Sequence, residues 1–134
     1  MNKLEDKIQH FISKRRVAFL GSIDSEGYPN IKCMLFPRKV EGLTTFYFST
    51  NTSSMRVAQF QNNSKAAIYF CSTTFFKGVM LRGNIEVTQD QELRDKLWEK
   101  GDTKYYPLGV SDPDYSVLIL RVKKDEIARV YRID

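Results

Sequence analysis

The sequence predicts an α+β, mainly β fold: a sheet of six or seven antiparallel strands, too many to stay flat, curling toward a barrel with helices outside. Three observations predict it. Runs rich in β-branched and aromatic residues recur along the 134 residues, separated by turn signals. Two early connections are short enough for hairpins, which join strands antiparallel. Helical periodicity is confined to three short stretches.

The elements follow in chain order. Leu4, Ile8, Phe11 and Ile12 fall at i, i+4, i+7 and i+8, so the chain opens with an amphipathic helix. "VAFLGSID" reads as a strand, and "DSEG" turns the chain at Gly27. "YPNIKCMLF" is a second strand, with Pro29 near its start, where a missing N–H costs least. "VEG" reads as a second turn, and "LTTFYFST" as a third strand by its Thr, Phe and Tyr content. A helix follows Thr52 and ends about Asn62 at "NNS". "KAAIYFCS" and "KGVMLRGNIEVT" are strands, and Gly83 marks a place where the longer one can bend. "QDQELRDKLWEKG" is a helix with an acidic first turn, stopped at Gly101. "YYPLGVSDPDY" is a loop, and "SVLILRVKKDEIARVYRI" supplies the last strand or strand pair. Residues 1–134 are read as one domain.

Composition narrows the function. Nothing in "MNKLEDKIQHFISKRR" resembles a signal peptide, and no run reaches the ~18 to 20 apolar residues of a membrane span, so a cytoplasmic protein is expected. Two cysteines, Cys33 and Cys71, and one histidine, His10, do not make a metal site of the usual Cys/His kind. Both thiols are expected reduced and buried, Cys71 in the core. Up to Gln89, 12 Lys/Arg face 6 Asp/Glu, and from Asp90 onward 9 face 10. The basic first two-thirds suits an anionic partner or a merely soluble surface. Its cations form no stripe or tract, so nucleic acid is not expected.

One stretch carries chemistry. "FSTNTSSMRVAQF", residues 48 to 60, runs from a strand through a polar turn into a helix. A helix start presents free N–H groups and the positive end of its dipole. Thr50, Thr52, Ser53 and Ser54 add hydroxyls and Arg56 a cation, a combination that suits a phosphate. The same residues equally make a well-capped helix, since Ser, Thr and Asn are preferred caps whatever the function. Lys32, alone in the apolar run "NIKCMLF", either faces solvent or supplies a second cation at the same anion.

The run "FSTNTSSMRVAQFQNNSKAAIYF" resembles the pyridoxamine 5′-phosphate oxidase-like family of FMN-binding split barrels. The likeness extends forward into "KGVMLRGNIEVT" and back to "GYPNIKCMLF". Trp98 in its helix and "YYPLGVSDPDYSVLILRV" look most like the general stress protein branch of small members. The resemblance implies a split β-barrel and FMN as cofactor. It places Arg56 and Ser54 on the FMN phosphate, with Lys32 near it where the family usually has Arg. Ser49 and Thr50 match the strand-end pair that contacts the cofactor. Cys33 and Met34 would lie along the isoalloxazine ring and offer it backbone hydrogen bonds. Met55 occupies the family's first basic position, so one phosphate contact is missing. It also implies a homodimer with FMN at the subunit interface, which a 13% aromatic content suits.

Departures from the family bear on activity. Gly78 falls where the vitamin oxidases carry a Gln that reaches the flavin, and Pro37 where they carry a Lys for the substrate phosphate. The sequence closes on "RVYRID" without their C-terminal Arg and His. Pyridoxamine phosphate oxidation is therefore not expected. The expectation is an FMN-dependent oxidoreductase of unknown substrate, with NAD(P)H a candidate reductant. The alternative is a non-catalytic flavin or haem binder, or a stress-response protein. No residue is assigned as catalytic: His10 reads as a surface residue, and Tyr105 and Tyr106 either cover the ring or simply pack.

Overall fold

A computed structural model describes residues 3–74 and 76–129. The elements are α1 (Lys3–Ser13), β1 (Val17–Ile23), β2 (Pro29–Leu35), β3 (Lys39–Glu41), β4 (Thr45–Asn51), α2 (Met55–Asn62), β5 (Lys65–Ser72), β6 (Lys77–Thr88), α3 (Gln91–Leu97), a 3₁₀ turn (Asp102–Lys104), β7 (Tyr115–Val122) and α4 (Glu126–Arg129). All strands pair antiparallel in one seven-stranded sheet, in the order β2-β1-β5-β6-β7-β4-β3. The fold is mainly β, as the sequence predicts.

That order requires a curled sheet. β2 and β3 are its two edges, yet only Phe36, Pro37 and Arg38 separate them in the chain. Laid flat, seven strands place the edges about 28 Å apart. The connector reaches roughly 14 Å. The sheet therefore bends until its edges approach, leaving a slit between them.

The bend has a local cause in β6. Its residues pair with β5 as far as Asn84, and with β7 from Gly83 onward. A Cβ on Gly83 would lie 2.2 Å from the Arg121 carbonyl oxygen, so only glycine permits the close approach of β7 there. At the β1–β2 turn, the Asp24 carboxylate accepts from the N–H groups of Glu26 and Tyr28 and from Asn30 Nδ2. Gly27 adopts the φ of +86° that closes this turn.

Two apolar clusters organise the interior. Inside the curl, alternate residues of β1, β4, β5 and β7, including Leu20, Phe46, Phe48, Phe70 and Leu118, meet Ile8 and Ile12 of α1 and Val57 and Phe60 of α2. Burying side chains of this size contributes about 1.5 to 3 kcal/mol each. On the outer face of β7, Tyr115, Val117 and Ile119 are covered by Leu97 and Tyr106. The outer face of β2-β1-β5-β6 is different. The register lines up Leu35 with Val17, and Cys33 with Phe19, Tyr69 and Met80. There Val17, Ile31, Leu35, Tyr69 and Met80 stay exposed.

Several expectations need correction. The second turn lies at Gly42–Thr44, and Lys39–Glu41 before it pair with β4 as a short strand. α3 ends at Leu97, with Trp98 as its C-cap, and Gly101 instead precedes the 3₁₀ turn with φ 94°. The chain after β7 turns into α4 and supplies no second strand among the described residues. "VYRID" lies outside them. Cys33 is exposed and Cys71 only half-buried, because both sit on the outer face of the sheet.

Candidate functional site

The slit owes its existence to the shortness of β3. β3 pairs with β4 only at Thr45, Phe46 and Tyr47, so the following residues Phe48–Asn51 present a backbone edge that β3 does not cover. β2 presents the facing edge. Between them opens a cleft of about 340 Å³. Lys32, Cys33, Met34, Leu35 and Phe36 form one wall. Phe48, Ser49, Thr50, Asn51 and Arg56 form the other, and Arg38, Tyr105 and Tyr106 close the end.

Arg56 stands in the first turn of α2. Its Nη2 donates to Thr50 Oγ1 at 3.1 Å, and Thr50 is buried on the inner face of β4. Its Nε is buried and has no hydrogen-bond partner among the described residues. Burial pushes the guanidinium below its ordinary pKa, opposed by Tyr106, and no carboxylate pairs with it among the described residues. An arginine keeps its charge in such a place. A desolvated cation with unspent donors is costly unless an anion completes it. Lys32, exposed on β2, likewise forms no ion pair among these residues.

The polar turn before α2 divides into two parts. Ser54 is the N-cap, its Oγ accepting from Val57 N at 3.4 Å. Asn51, Thr52 and Ser53 are held by the segment leading into β7. Asp114 accepts from Ser53 N at 2.8 Å, Ser53 Oγ at 3.2 Å and Asn51 Nδ2 at 2.8 Å, while Thr52 N donates to the Asp114 carbonyl at 2.7 Å. The Asn51 bond, then those of Ser53, hold the Asp114 carboxyl below its usual range. Thr52 Oγ1 donates to the Pro113 carbonyl at 3.2 Å and lies 2.6 Å from Ser116 Oγ. The hydroxyls of Thr52 and Ser53 thus serve the fold, and of the hydroxyls and the cation singled out in this turn Thr50 and Arg56 line the cleft.

Of the residues singled out in the sequence, Lys32, Cys33, Met34, Ser49, Thr50 and Arg56 line the cleft. Ser54 is behind it as the cap, and Met55 points elsewhere, 72% exposed beside Asp24 and Ala58. Gly78 and Pro37 are not among its lining residues. A Cβ on Gly78 would meet Tyr69 Oη at 2.1 Å. His10 is exposed on α1, and no cluster of three His, Cys, Asp or Glu suited to a metal occurs among the described residues.

Sequence reasoning missed Arg38. Its Nη1 and Nη2 donate to the two Asp102 oxygens at 2.8 and 2.9 Å, and Nη1 also reaches the Leu97 carbonyl at 2.9 Å. The Asp102 bond raises the Arg38 pKa. Burial raises that of Asp102, but Arg38 and the Glu99 N–H outweigh it and hold the carboxyl below its usual range. The pair spans 64 positions, so no local pattern announces it. It pins the 3₁₀ turn, and with it Tyr105 and Tyr106, against the cleft. Tyr106 stacks on Tyr115 with centroids 4.6 Å apart, and burial keeps its phenol well above its ordinary pKa.

Comparison with known proteins agrees with this architecture. The pyridoxamine 5′-phosphate oxidase family profile matches residues 4–126. A Clostridium acetobutylicum protein related to general stress protein 26 superposes with a TM-score of 0.79 at 37% identity, covering 90% of this chain and 84% of that one. A pyridoxamine 5′-phosphate oxidase-related, FMN-binding protein from Nostoc punctiforme shares the fold (TM-score 0.73, 17% identity, 91% and 81% covered). A Mesorhizobium japonicum pyridoxine/pyridoxamine 5′-phosphate oxidase is 29% identical over 89 residues, 66% of this chain. The chain spans only 42% of that relative's length.

Proposed function

The chain belongs to the pyridoxamine 5′-phosphate oxidase family, and from that premise we propose that it is an FMN-binding domain serving an oxidoreductase. The observation that carries the reading is Arg56: a half-buried guanidinium whose Nε has no partner among the described residues, lining a cleft of about 340 Å³. A phosphate monoester supplies the missing acceptor, and the Arg56–Thr50 bond preorients the guanidinium for it. Lys32 adds a second cation from the facing strand, and Ser54 holds the start of α2 in place. The uncovered edge at Ser49 and Thr50 and the β2 backbone at Cys33 and Met34 offer donors and acceptors to the ring's polar rim. Met55, turned away, leaves the seat one cation short.

Bound FMN would supply hydride and electron transfer, while the chain binds, orients and shields it. NAD(P)H is the proposed reductant. Pro37 and Gly78 bring no group to a phosphorylated vitamin, so the substrate differs from that of the vitamin oxidases. The exposed apolar strip of Val17, Ile31, Leu35, Tyr69 and Met80 adjoins the β2 wall of the slit. A second copy packed there forms a homodimer with FMN at the interface. No helix among the described residues is long and apolar enough to cross a membrane, and the proposed setting is the cytoplasm.

The absorbance spectrum of the purified protein, followed by FMN titration, tests the reading. Flavin bands that bleach with NADH or NADPH support it. Colourless protein that takes up no FMN ends it, a Soret band redirects it to haem, and bound FMN that neither nicotinamide reduces favours a carrier.

A further inference from the structure

Two arginines share the cleft, and they differ in state. Arg38 has 12% of its side chain exposed and is matched by the Asp102 carboxylate, itself 5% exposed. Glu99 lies 3.7 Å from its Nε on the other side. The cleft it lines also presents Leu35, Phe36, Phe48 and Tyr105, with the neutral polar side chains of Ser49 and Asn51. With a cofactor phosphate on Lys32 and Arg56, every cation lining the cleft is answered. An anion entering beside the cofactor would shed its hydration without gaining a free cation, because Asp102 has already answered Arg38. An uncharged flat molecule meets the apolar part of the lining and the half-exposed ring of Tyr105, and finds neutral hydrogen-bonding partners in Ser49 and Asn51.

We propose that the ring admitted to this cleft beside the cofactor is uncharged and flat, as the reduced nicotinamide of NAD(P)H is when its phosphates stay outside, and that Asp102 sets this specificity by cancelling the charge of Arg38. The inference rests on the FMN reading above and names the class of molecule that shares the site. Asp102 acts through Arg38 and is a specificity-determining residue without touching the ligand. It also explains why Arg38, one residue beyond Pro37, does not replace the missing substrate-phosphate lysine of the vitamin oxidases.

The test uses the full chain loaded with FMN and two probes of one shape, naphthalene-2-carboxamide and naphthalene-2-carboxylate, titrated by calorimetry. The amide is expected to bind at least about tenfold tighter than the carboxylate, the factor that separates an answered from an unanswered charge. Asp102→Asn leaves Arg38 uncancelled and should close or invert that gap. The doubly neutral Arg38→Gln/Asp102→Asn variant should restore it. Circular dichroism checks folding, and should Asp102→Asn fail to fold, the wild-type ratio and the double variant decide. Equal binding of the probes by wild type, binding of neither, an unchanged gap in folded Asp102→Asn, or its loss in the double variant overturns the proposal. Failure to take up FMN sinks the cofactor reading separately. The same titration with inorganic phosphate saturating the cations then reads the cleft's charge preference alone.

Discussion

The two ends of the cleft use the same side chain for opposite purposes. At one end Arg38 spends its donors on Asp102 and the Leu97 carbonyl, and so ties the 98–106 segment to the connector between β2 and β3. At the other, Arg56 makes one side-chain bond among the described residues, to Thr50, and keeps a buried Nε that none of them matches. Both are arginines in one pocket, and position alone does not separate them. Unspent hydrogen-bonding capacity at the cleft does: Arg38 is saturated and ties segments together, whereas Arg56 lines the cleft with an unmatched Nε. Arg94 Nε is unmatched among the described residues too but lies outside the cleft, so an orphaned donor counts only together with the cleft.

The contrast predicts that stability and cofactor affinity separate between the two. The largest effect belongs to Asp102→Ala, which strands Arg38 and should cost about 3 to 5 kcal/mol, seen in thermal unfolding as a drop of about 10 °C or more. Arg56→Ala should leave the melting temperature of the cofactor-free protein unchanged or slightly higher. It should weaken FMN binding by about 1.5 to 3 kcal/mol, and adding Lys32→Ala should weaken it further. If Arg56→Ala melts the protein while sparing affinity, the assignment of the two ends is reversed.

Acid titration sharpens the same point. The folded protein holds the Asp102 carboxyl below its ordinary 3.8. Its contribution is therefore present above that value and is lost as pH falls through the lower, folded one. Circular dichroism against pH should show wild type losing stability below about pH 4, and the Arg38→Gln/Asp102→Asn variant lacking that part of the loss. Thr50→Val, which removes the acceptor that holds Arg56 Nη2, should cost about 1 kcal/mol in FMN affinity. Met55→Ala should change affinity by less than about 0.3 kcal/mol, because the side chain points away from the cleft.

How much of this was legible follows from how local each signal is. The spacing of Leu4, Ile8 and Ile12 announced α1, and the aromatic content of residues 45–51 announced β4. Three-residue β3 was not legible, because Lys39–Glu41 carries no pattern longer than a turn. Gly101 was read as the stop of α3, but its left-handed φ serves the 3₁₀ turn. Lys32 and Arg56 stood out as cations in unusual company, and the structure does bring them to one cleft. Thr52 and Ser53 offer hydroxyls that read as ligand donors, but the segment about 60 positions on takes them: Asp114 accepts from Ser53, and Pro113 and Ser116 bond the Thr52 hydroxyl. Arg38 gave no sign, since its meaning lies wholly in a distant partner. Local chemistry was readable, and long-range hydrogen-bond accounting was not.

The central claim is that Arg56 is the phosphate end of the cofactor seat. Titrating wild type and Arg56→Ala with FMN and with riboflavin, which lacks the phosphate, tests it most directly. Wild type should prefer FMN by at least about tenfold, and Arg56→Ala should bring that ratio toward one while leaving riboflavin affinity in place. Equal affinity of wild type for the two flavins, or an unchanged ratio in Arg56→Ala, would contradict the account.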